Sequence, residues 1–237
     1  MHKELLIFIP TYNEKENIEK LYHEIRRHTD GDILFCDDNS PDGTGHLLDT
    51  IAAQDSRVCV LHRAQKLGLG TAHLQAFAYA RTHQYTYLLT MDADFTHHPA
   101  YIPALLEKRE HADVVIGSRY VAGGNMVKWG AVRLQFTYLW RNLIKYGLGM
   151  PYDCTGAFRV YTVAKLDPAL YHSLHSQGFS FCIESLFYMH YAGHAIVEVP
   201  ICAQNRMYGQ SKLSGSIMKE GALTFLRLLW KKKHKKR

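Results

Sequence analysis

Short apolar segments alternate with helical segments through the first half of this chain. The apolar segments are rich in Ile, Leu, Val and aromatic residues and lie at 5–10, 33–36, 58–62 and 87–91, with a further candidate at 114–117. Helical periodicity separates them, for example at 17–27 and 71–81. Strands that are apolar on both faces and alternate with helices predict an α/β protein with a mainly parallel, doubly wound sheet flanked by helices.

Clusters of polar residues follow four of these predicted strands. They are PTYNE at 10–14, DDNSPDGT at 37–44, DAD at 92–94 and GSRY at 117–120. Ligands of doubly wound sheets bind beyond the carboxyl ends of the parallel strands. The sequence therefore predicts one binding site built from all four clusters.

The pair Asp92 and Asp94 carries the most specific chemistry. Carboxylates at i and i+2 of an extended segment point to the same side. Their oxygen atoms suit Mg²⁺ or Mn²⁺, and Mg²⁺ is usually held by one or two carboxylates together with substrate phosphates. Adjacent His97 and His98 are not expected to be ligands, because neighbouring side chains point apart. A chance D-x-D is expected about once in such a chain, so the strand-end position carries the prediction.

Several acidic residues have two open interpretations. Asp37 and Asp38 suit hydrogen bonds to a nucleoside, but their loop is also rich in turn and capping residues. Asp153 and Glu184 are single acids in apolar surroundings, and each is either a catalytic base or a structural anchor. The glycine-containing segment 66–70 lacks the spacing of a phosphate loop and is interpreted as a tight connection without a binding role.

Four cationic residues form a candidate phosphate clamp. Arg119 lies in the fourth polar cluster and Arg133 follows it, and Arg206 and Lys212 lie in a glycine-containing segment late in the chain. Arginine offers a bidentate fork and lysine a point charge to phosphate oxygens. Ordinary surface cations are the alternative interpretation.

The positive charge of the chain is concentrated at its end. The chain has 28 Lys and Arg against 22 Asp and Glu. Six of the basic residues lie in 231–237, so the remainder is neutral. Leu223, Leu226, Leu229 and Trp230 precede them at near-helical spacing. This pattern predicts either an amphipathic helix on an anionic membrane surface or a packed helix with a solvated basic end, with nucleic-acid binding as a third possibility.

Cysteine usage and hydropathy restrict the compartment. The five cysteines are scattered without a C-x-x-C pair, which argues against a disulfide framework and a zinc site and favours a reducing cytosol. The apolar run at 5–9 is too short for a signal peptide, and no run approaches the length of a membrane span.

Eight ordered motifs resemble the dolichol-phosphate mannose synthases, a group within the inverting family-2 glycosyltransferases. The resemblance runs from residue 5 to about 215 in this order: PTYNE at 10–14, DDNSPDGT at 37–44, LGLGTA at 67–72, MDAD at 91–94 with HP at 98–99, GSRY at 117–120, TGAFR at 155–159, EVPI at 198–201, and Arg206 through SKL at 211–213.

The resemblance implies a Rossmann-like glycosyltransferase A fold. We expect this catalytic domain to span 1–213 and the amphipathic basic tail to span 214–237. The implied reaction is transfer of mannose from GDP-mannose to a polyprenyl (dolichyl) monophosphate with inversion, which gives polyprenyl-phosphate-mannose and GDP. The implied location is the cytoplasmic face of a membrane, where the protein would be peripheral and its tail would bind the anionic surface.

The resemblance also assigns roles to individual residues. Asp92 and Asp94 would hold Mg²⁺ or Mn²⁺, with Thr96 at a position where family members can present Gln or Ser. Asp94, Arg119 and Arg133 would be catalytic, with Arg133 facing the acceptor phosphate. The nucleotide sugar would be bound by Pro10, Tyr12, Glu14, Asp38, Asp92, Ala93, Asp94, Arg119, Arg206 and Lys212.

Other functions remain as alternatives. A related transferase could use UDP-glucose or a similar donor, or a sugar acceptor, whose hydroxyl would require Asp153 or Glu184 as a base. A lipid monophosphate needs no strong base, because it is already anionic near neutral pH. A nucleic-acid-binding module is disfavoured by the neutral body, which lacks an aromatic and basic RNA motif.

Overall fold

The computed structural model describes residues 3–127, 129–169, 173–204 and 215–235. Strands and helices alternate from the start, as the sequence predicted. The elements are β1 (Lys3–Thr11), α1 (Lys15–His28), β2 (Asp32–Asp37), α2 (Thr44–Gln54), β3 (Val58–His62), α3 (Leu69–Thr82), β4 (Tyr85–Thr90), α4 (Ile102–Glu107), β5 (Val114–Ser118), β6 (Asn125–Met126), α5 (Ala131–Asn142), β7 (Arg159–Thr162), α6 (Phe181–Tyr191), β8 (Ile196–Pro200), β9 (Cys202–Ala203) and α7 (Gly215–Lys235). Helix α5 continues directly into a π-helical segment, Leu143–Leu148.

Seven strands form the central sheet in the order β3-β2-β1-β4-β7-β5-β8. Strand β7 runs antiparallel to β4 and β5, and the other strands run parallel to one another. The predicted mainly parallel sheet flanked by helices is therefore confirmed. The direction of β7 had no counterpart in the sequence pattern.

Apolar side chains cover both faces of the sheet, which explains the continuous apolar runs of its strands. On β1, Leu6 and Phe8 pack beneath α3, α6 and α7, while Ile7 and Ile9 pack beneath α1, α2 and α4. Leu228 of α7 is fully buried in the first of these cores. The C-terminal helix thus contributes to the main core. The proposed boundary between 213 and 214 lies outside the described residues and stays a prediction.

Strand direction places the polar clusters together. The carboxyl ends of β1, β2, β4, β5 and β8 lie at one edge of the sheet, where β7 begins at Arg159. Among the described helices, none combines the length and hydropathy needed to cross a bilayer.

Candidate active site

A cleft of about 370 Å³ opens at the carboxyl end of β1. Pro10, Tyr12 and Asp38, three residues predicted to bind the nucleotide sugar, line this β1 cleft. The remaining lining residues are Thr11, Arg63, Lys66, Gly68, Leu69, Ala72, Gly178, Phe179 and Ile217. The segment that begins at Lys66 therefore forms part of the cleft wall, although its sequence was interpreted as a connection without a binding role.

The two interpretations of the Asp37–Asp38 pair apply to different residues. Asp37 accepts hydrogen bonds from the Ser40 amide (3.0 Å) and hydroxyl (2.6 Å), so its carboxylate anchors the loop. Asp38 lines the cleft and is paired with the buried guanidinium of Arg63. Arg63 also donates to the Thr71 hydroxyl at 2.7 Å, which fixes its position. Sequence reasoning missed Arg63, although its place directly after β3 matches the strand-end pattern.

Glu14 and Tyr12 have different surroundings. The buried Glu14 carboxylate accepts a hydrogen bond from Asn17 Nδ2 at 2.8 Å, and the Glu14 amide donates to the Thr44 hydroxyl at 3.0 Å. Glu14 therefore connects the first turn of α1 to the start of α2. Tyr12 faces the cleft, and Lys66 Nζ lies 4.1 Å from the centre of its ring.

The Asp92–Asp94 pair lies in a turn beyond β4, which ends at Thr90. The pair therefore lies past the strand and not on it, and Phe95 adopts a φ of +62° in this turn. Buried Asp94 accepts hydrogen bonds at Oδ1 from the Thr96 amide (3.1 Å) and hydroxyl (2.5 Å). The turn thus fixes the orientation of the Asp94 carboxylate.

Asp92 is more exposed and lies beside His97. The Asp92 amide donates to His97 Nδ1 at 3.2 Å, and Asp92 Oδ2 lies 3.5 Å from the same nitrogen. The imidazole stacks on Phe158 with ring centres 5.3 Å apart. His97 therefore supports the turn, while His98 Nδ1 accepts the Ala100 amide at 3.2 Å.

The donor set at this turn suits a hard divalent cation. Asp92 and Asp94 offer carboxylate oxygens and Thr96 a hydroxyl oxygen, beside the buried Ala93. No group of three or more His, Cys, Asp or Glu that could hold a metal occurs within the part of the chain that the structure describes. Proteins usually bind Mg²⁺ through one or two carboxylates, and the phosphates of the substrate provide further ligands.

Arg119, directly after β5, forms a bidentate ion pair with Asp153. Its Nε and Nη2 donate to the carboxylate at 2.8 and 2.6 Å, and Nη2 also donates to the Thr155 hydroxyl at 2.5 Å. Burial alone would raise the pKa of Asp153, but the charge and hydrogen bonds of Arg119 bring it below its usual value. Asp153 therefore serves as an ionised anchor for Arg119.

The Arg119–Asp153 pair adjoins the carboxylate turn. A methyl group at Gly156 would lie 3.9 Å from Asp153 Oδ1 and 4.0 Å from His97 Nε2. Arg133 is also nearby, because its guanidinium carbon and that of Arg119 lie 3.7 and 5.7 Å from the ring centre of Trp129. Arg206 and Lys212 fall outside the described residues, so their part in the phosphate clamp stays a prediction.

A model for the family described as "Glycosyl transferase family 2" matches residues 6–167, more than half of the chain. The chain belongs to glycosyltransferase family 2. Two relatives match almost its whole length. An undecaprenyl-phosphate mannosyltransferase of Micrococcus luteus is 39% identical over 225 residues, which cover 94% of this chain and 93% of the relative. A polyprenol monophosphomannose synthase of Mycolicibacterium smegmatis is 38% identical over 219 residues, with 91% and 83% covered.

Solved structures of glycosyltransferases share the fold. One is glucosyl-3-phosphoglycerate synthase from Mycobacterium tuberculosis, solved with Mn²⁺, UDP and phosphoglyceric acid. Its TM-score is 0.69 at 20% identity, and the match covers 96% of this chain and 78% of the synthase chain. A mannosyltransferase from Pyrobaculum calidifontis, solved with GDP-Man and Mn²⁺, has a TM-score of 0.60 at 13% identity. The match covers 99% of this chain and 65% of the mannosyltransferase chain. The fold is therefore the Rossmann-like glycosyltransferase A type.

In this family-2 glycosyltransferase, Glu184 connects the cleft to the C-terminal helix. The fully buried carboxylate accepts the amides of His175 (3.0 Å) and Ser176 (2.8 Å) and pairs with Arg227 of α7 at 2.9 Å. Glu184 is thus a structural anchor. Further along the same loop, the Gly178 amide donates to Glu220 of α7 at 3.0 Å. Sequence reasoning did not anticipate that α7 holds this loop.

Proposed function

We propose that this glycosyltransferase transfers mannose from GDP-mannose to a polyprenyl monophosphate with inversion, and releases GDP. Two relatives at 38–39% identity, which match most of the chain, carry names that refer to undecaprenyl-phosphate and polyprenol monophosphate as mannose acceptors. Their similarity supports the same class of acceptor here.

The ion pairs and hydrogen bonds of the two candidate bases, Asp153 and Glu184, are the observation that supports a phosphate acceptor. Asp153 is committed to Arg119, and Glu184 is committed to two backbone amides and Arg227. A sugar hydroxyl would need a carboxylate base, whereas a lipid phosphate brings its own anionic oxygen. The nearby Arg119 and Arg133 also favour an anionic acceptor.

The residues around the cleft suggest how the donor is held. Pro10, Tyr12 and Asp38 would contact the nucleoside, and Asp92 and Asp94 would hold Mg²⁺ or Mn²⁺ against the donor diphosphate. A bound divalent ion neutralises charge on the leaving diphosphate. The arginines would stabilise the same charge from the protein side, in a site where fixed donors act more strongly than in water.

We infer that the enzyme works at a membrane surface, because its proposed acceptor is a lipid. Helix α7 supports this location: Leu228 is buried against the body, whereas Leu226 and Trp230 on another face are 60% and 61% exposed. Lys232 is not part of a solvated tail, since its Nζ donates to the Gly147 carbonyl at 2.8 Å. The helix is therefore packed on one side and apolar on the exposed side.

A second apolar row lies on the neighbouring helix. Leu139, Leu143 and Tyr146, at spacings of three and four residues, are exposed on α5 and its π-helical extension. The two helices lie side by side, with the rings of Trp140 and Phe225 5.7 Å apart. Exposed apolar surface on two adjacent helices is typical of proteins that lie on the interface of a bilayer.

A comparison of donors tests the proposed reaction. The enzyme is incubated with GDP-mannose, UDP-glucose or UDP-GlcNAc, each with a short polyprenyl phosphate and Mg²⁺ or Mn²⁺. We expect transfer from GDP-mannose, loss of transfer in excess EDTA, and loss of transfer in Asp94→Ala while the melting temperature is retained. Preferential use of UDP-glucose would contradict the proposed donor, and full turnover in EDTA would contradict the role of the carboxylate pair.

A further inference from the structure

Arginines and aromatic rings alternate between the end of β5 and helix α5. The guanidinium carbon of Arg133 lies 3.7 Å from the ring centre of Trp129, and that of Arg119 lies 5.7 Å from the same ring. Arg119 is also 5.4 Å from the ring centre of Tyr120, and Arg141 is 4.4 Å from it. We call these five residues the arginine–aromatic cluster.

The cluster contains buried hydrogen-bond donors that have no partner among the described residues. It holds three guanidinium groups, and that of Arg119 pairs with Asp153. Tyr120 does not supply a negative charge, because burial raises its pKa to about 12. Trp129 Nε1 and Arg141 Nε are buried and have no hydrogen-bond partner among the described residues. This arrangement suits an anion that accepts several hydrogen bonds.

The rings determine where the cations lie. Like charges repel, and in the absence of a bound anion a flexible arginine side chain would turn toward solvent. A guanidinium that stacks on an aromatic face is attracted by the ring and loses little on desolvation. Within the cluster, the ring of Trp129 contacts both Arg119 and Arg133. Its indole therefore fixes the separation of these two cations.

We propose that Trp129 is a positioning residue that holds Arg133 at the distance from Arg119 at which the two arginines bind a phosphomonoester together. The inference rests on the proposed function, which supplies the phosphate on the acceptor lipid. Trp129 acts through the arginines and does not contact the reacting atoms. An aromatic ring at this position is required, and an aliphatic side chain of similar volume cannot replace it.

Two substitutions in the full-length enzyme separate this role from simple packing. Trp129→Phe keeps an aromatic face, and Trp129→Leu replaces it by an aliphatic side chain close in size to that of Phe. We expect the Leu variant to raise KM for a short isoprenyl phosphate about tenfold, equivalent to about 1.4 kcal/mol, with donor KM unchanged. The Phe variant should stay within about threefold of wild type for the acceptor. Equal effects of Phe and Leu, or an equal rise in donor KM, would overturn the proposal.

Trp140→Leu is the matched control, because Trp140 packs on Phe225 and is not in the cluster. It should leave acceptor KM unchanged, even if it lowers the melting temperature. Direct binding of the isoprenyl phosphate, measured by calorimetry without donor, separates the role of Trp129 from the identity of the transferred sugar. If wild type binds it and Trp129→Leu binds about tenfold more weakly, the inference holds even where mannose is not the sugar transferred. If both bind equally, or wild type does not bind, the inference fails even where mannose transfer is observed.

Discussion

Replacing Arg227 by Met should weaken both the fold and the donor cleft. Glu184 would keep its two backbone amides but lose its only cationic partner among the described residues that lies within 3 Å. Removing one member of a fully buried ion pair costs about 3–5 kcal/mol. The Arg227 side chain is 33% exposed, so water can replace part of the lost interaction and we expect about 2 kcal/mol. For a protein of this size, that loss lowers Tm by roughly 4–8 °C.

Loss of the ion pair between Arg227 and Glu184 should also alter the cleft, because Glu184 holds the loop that lines it. Ser176 is bonded to Glu184, Gln177 accepts the Gly70 amide at 2.7 Å, and Gly178 lines the cleft. Thermal unfolding measures the stability of Arg227→Met, and calorimetry with GDP measures its donor cleft, where we expect affinity to fall about threefold or more. Lys219→Met on an exposed part of the same helix is the control and should change neither quantity.

Two outcomes would refute this reasoning. A Tm within 1 °C of wild type would mean that the ion pair contributes no net stability, as is observed for many exposed pairs. A lowered Tm with unchanged GDP affinity would mean that the loop does not transmit the perturbation. Adding Glu184→Gln to Arg227→Met should recover part of the lost stability, because a neutral amide is less costly to bury unpaired than a carboxylate.

The same contacts revise what is expected when the C-terminal segment is removed. If this segment were only a membrane anchor, an enzyme lacking residues from about 223 onward would keep activity on a short, soluble acceptor. In the structure, that deletion removes Thr224, Arg227 and the buried Leu228. We therefore expect the truncated enzyme to lose stability and donor affinity as well as any membrane attachment.

Three further perturbations have defined outcomes. Gly68 has a φ of +93° and a methyl group there would lie 2.5 Å from a carbonyl oxygen, so Gly68→Ala should cost roughly 1–3 kcal/mol of stability, seen as a lower Tm, and weaken GDP binding. Arg119 keeps the folded pKa of Asp153 low, so the stability from this pair is present above the unfolded pKa of about 3.9 and is lost as the pH falls through the folded value. The Tm difference between wild type and Asp153→Asn should therefore be largest near neutral pH and shrink on acidification, and a constant difference would argue against the assignment. Exchanging both Leu226 and Trp230 for Glu should reduce co-sedimentation with anionic vesicles at constant GDP affinity, whereas unchanged pelleting would exclude this face from membrane binding.

The fold was predictable because its evidence is local. Apolar runs, helical periodicity and polar strand ends are all written in short windows, and they place Pro10, Asp38, Asp92 and Arg119 at one edge of the sheet. The antiparallel direction of β7 was not predictable in this way. A strand of four residues carries the same pattern in either direction, and only its pairing with β4 and β5 distinguishes them.

The sequence predicted which residues form the site better than it predicted how those residues are arranged. The Asp92–Asp94 pair was found from its position, but the turn that contains Phe95 at positive φ was not, because single non-glycine residues in this conformation leave no clear sequence pattern. The roles of Asp153 and Glu184 depended on partners 34 and 43 residues away. Pairings over such separations are decided by the tertiary fold, and single-sequence reasoning does not reach them.

Analysis of the product tests the central claim most directly. The enzyme is incubated with GDP-mannose, a divalent cation and a short polyprenyl phosphate, and the lipid product is examined by mass spectrometry and NMR. The account predicts one hexose added per lipid through the acceptor phosphate oxygen, equimolar release of GDP, and an anomeric configuration opposite to that of the donor. A product in which the sugar is attached elsewhere, or hydrolysis of GDP-mannose without lipid glycosylation, would contradict it.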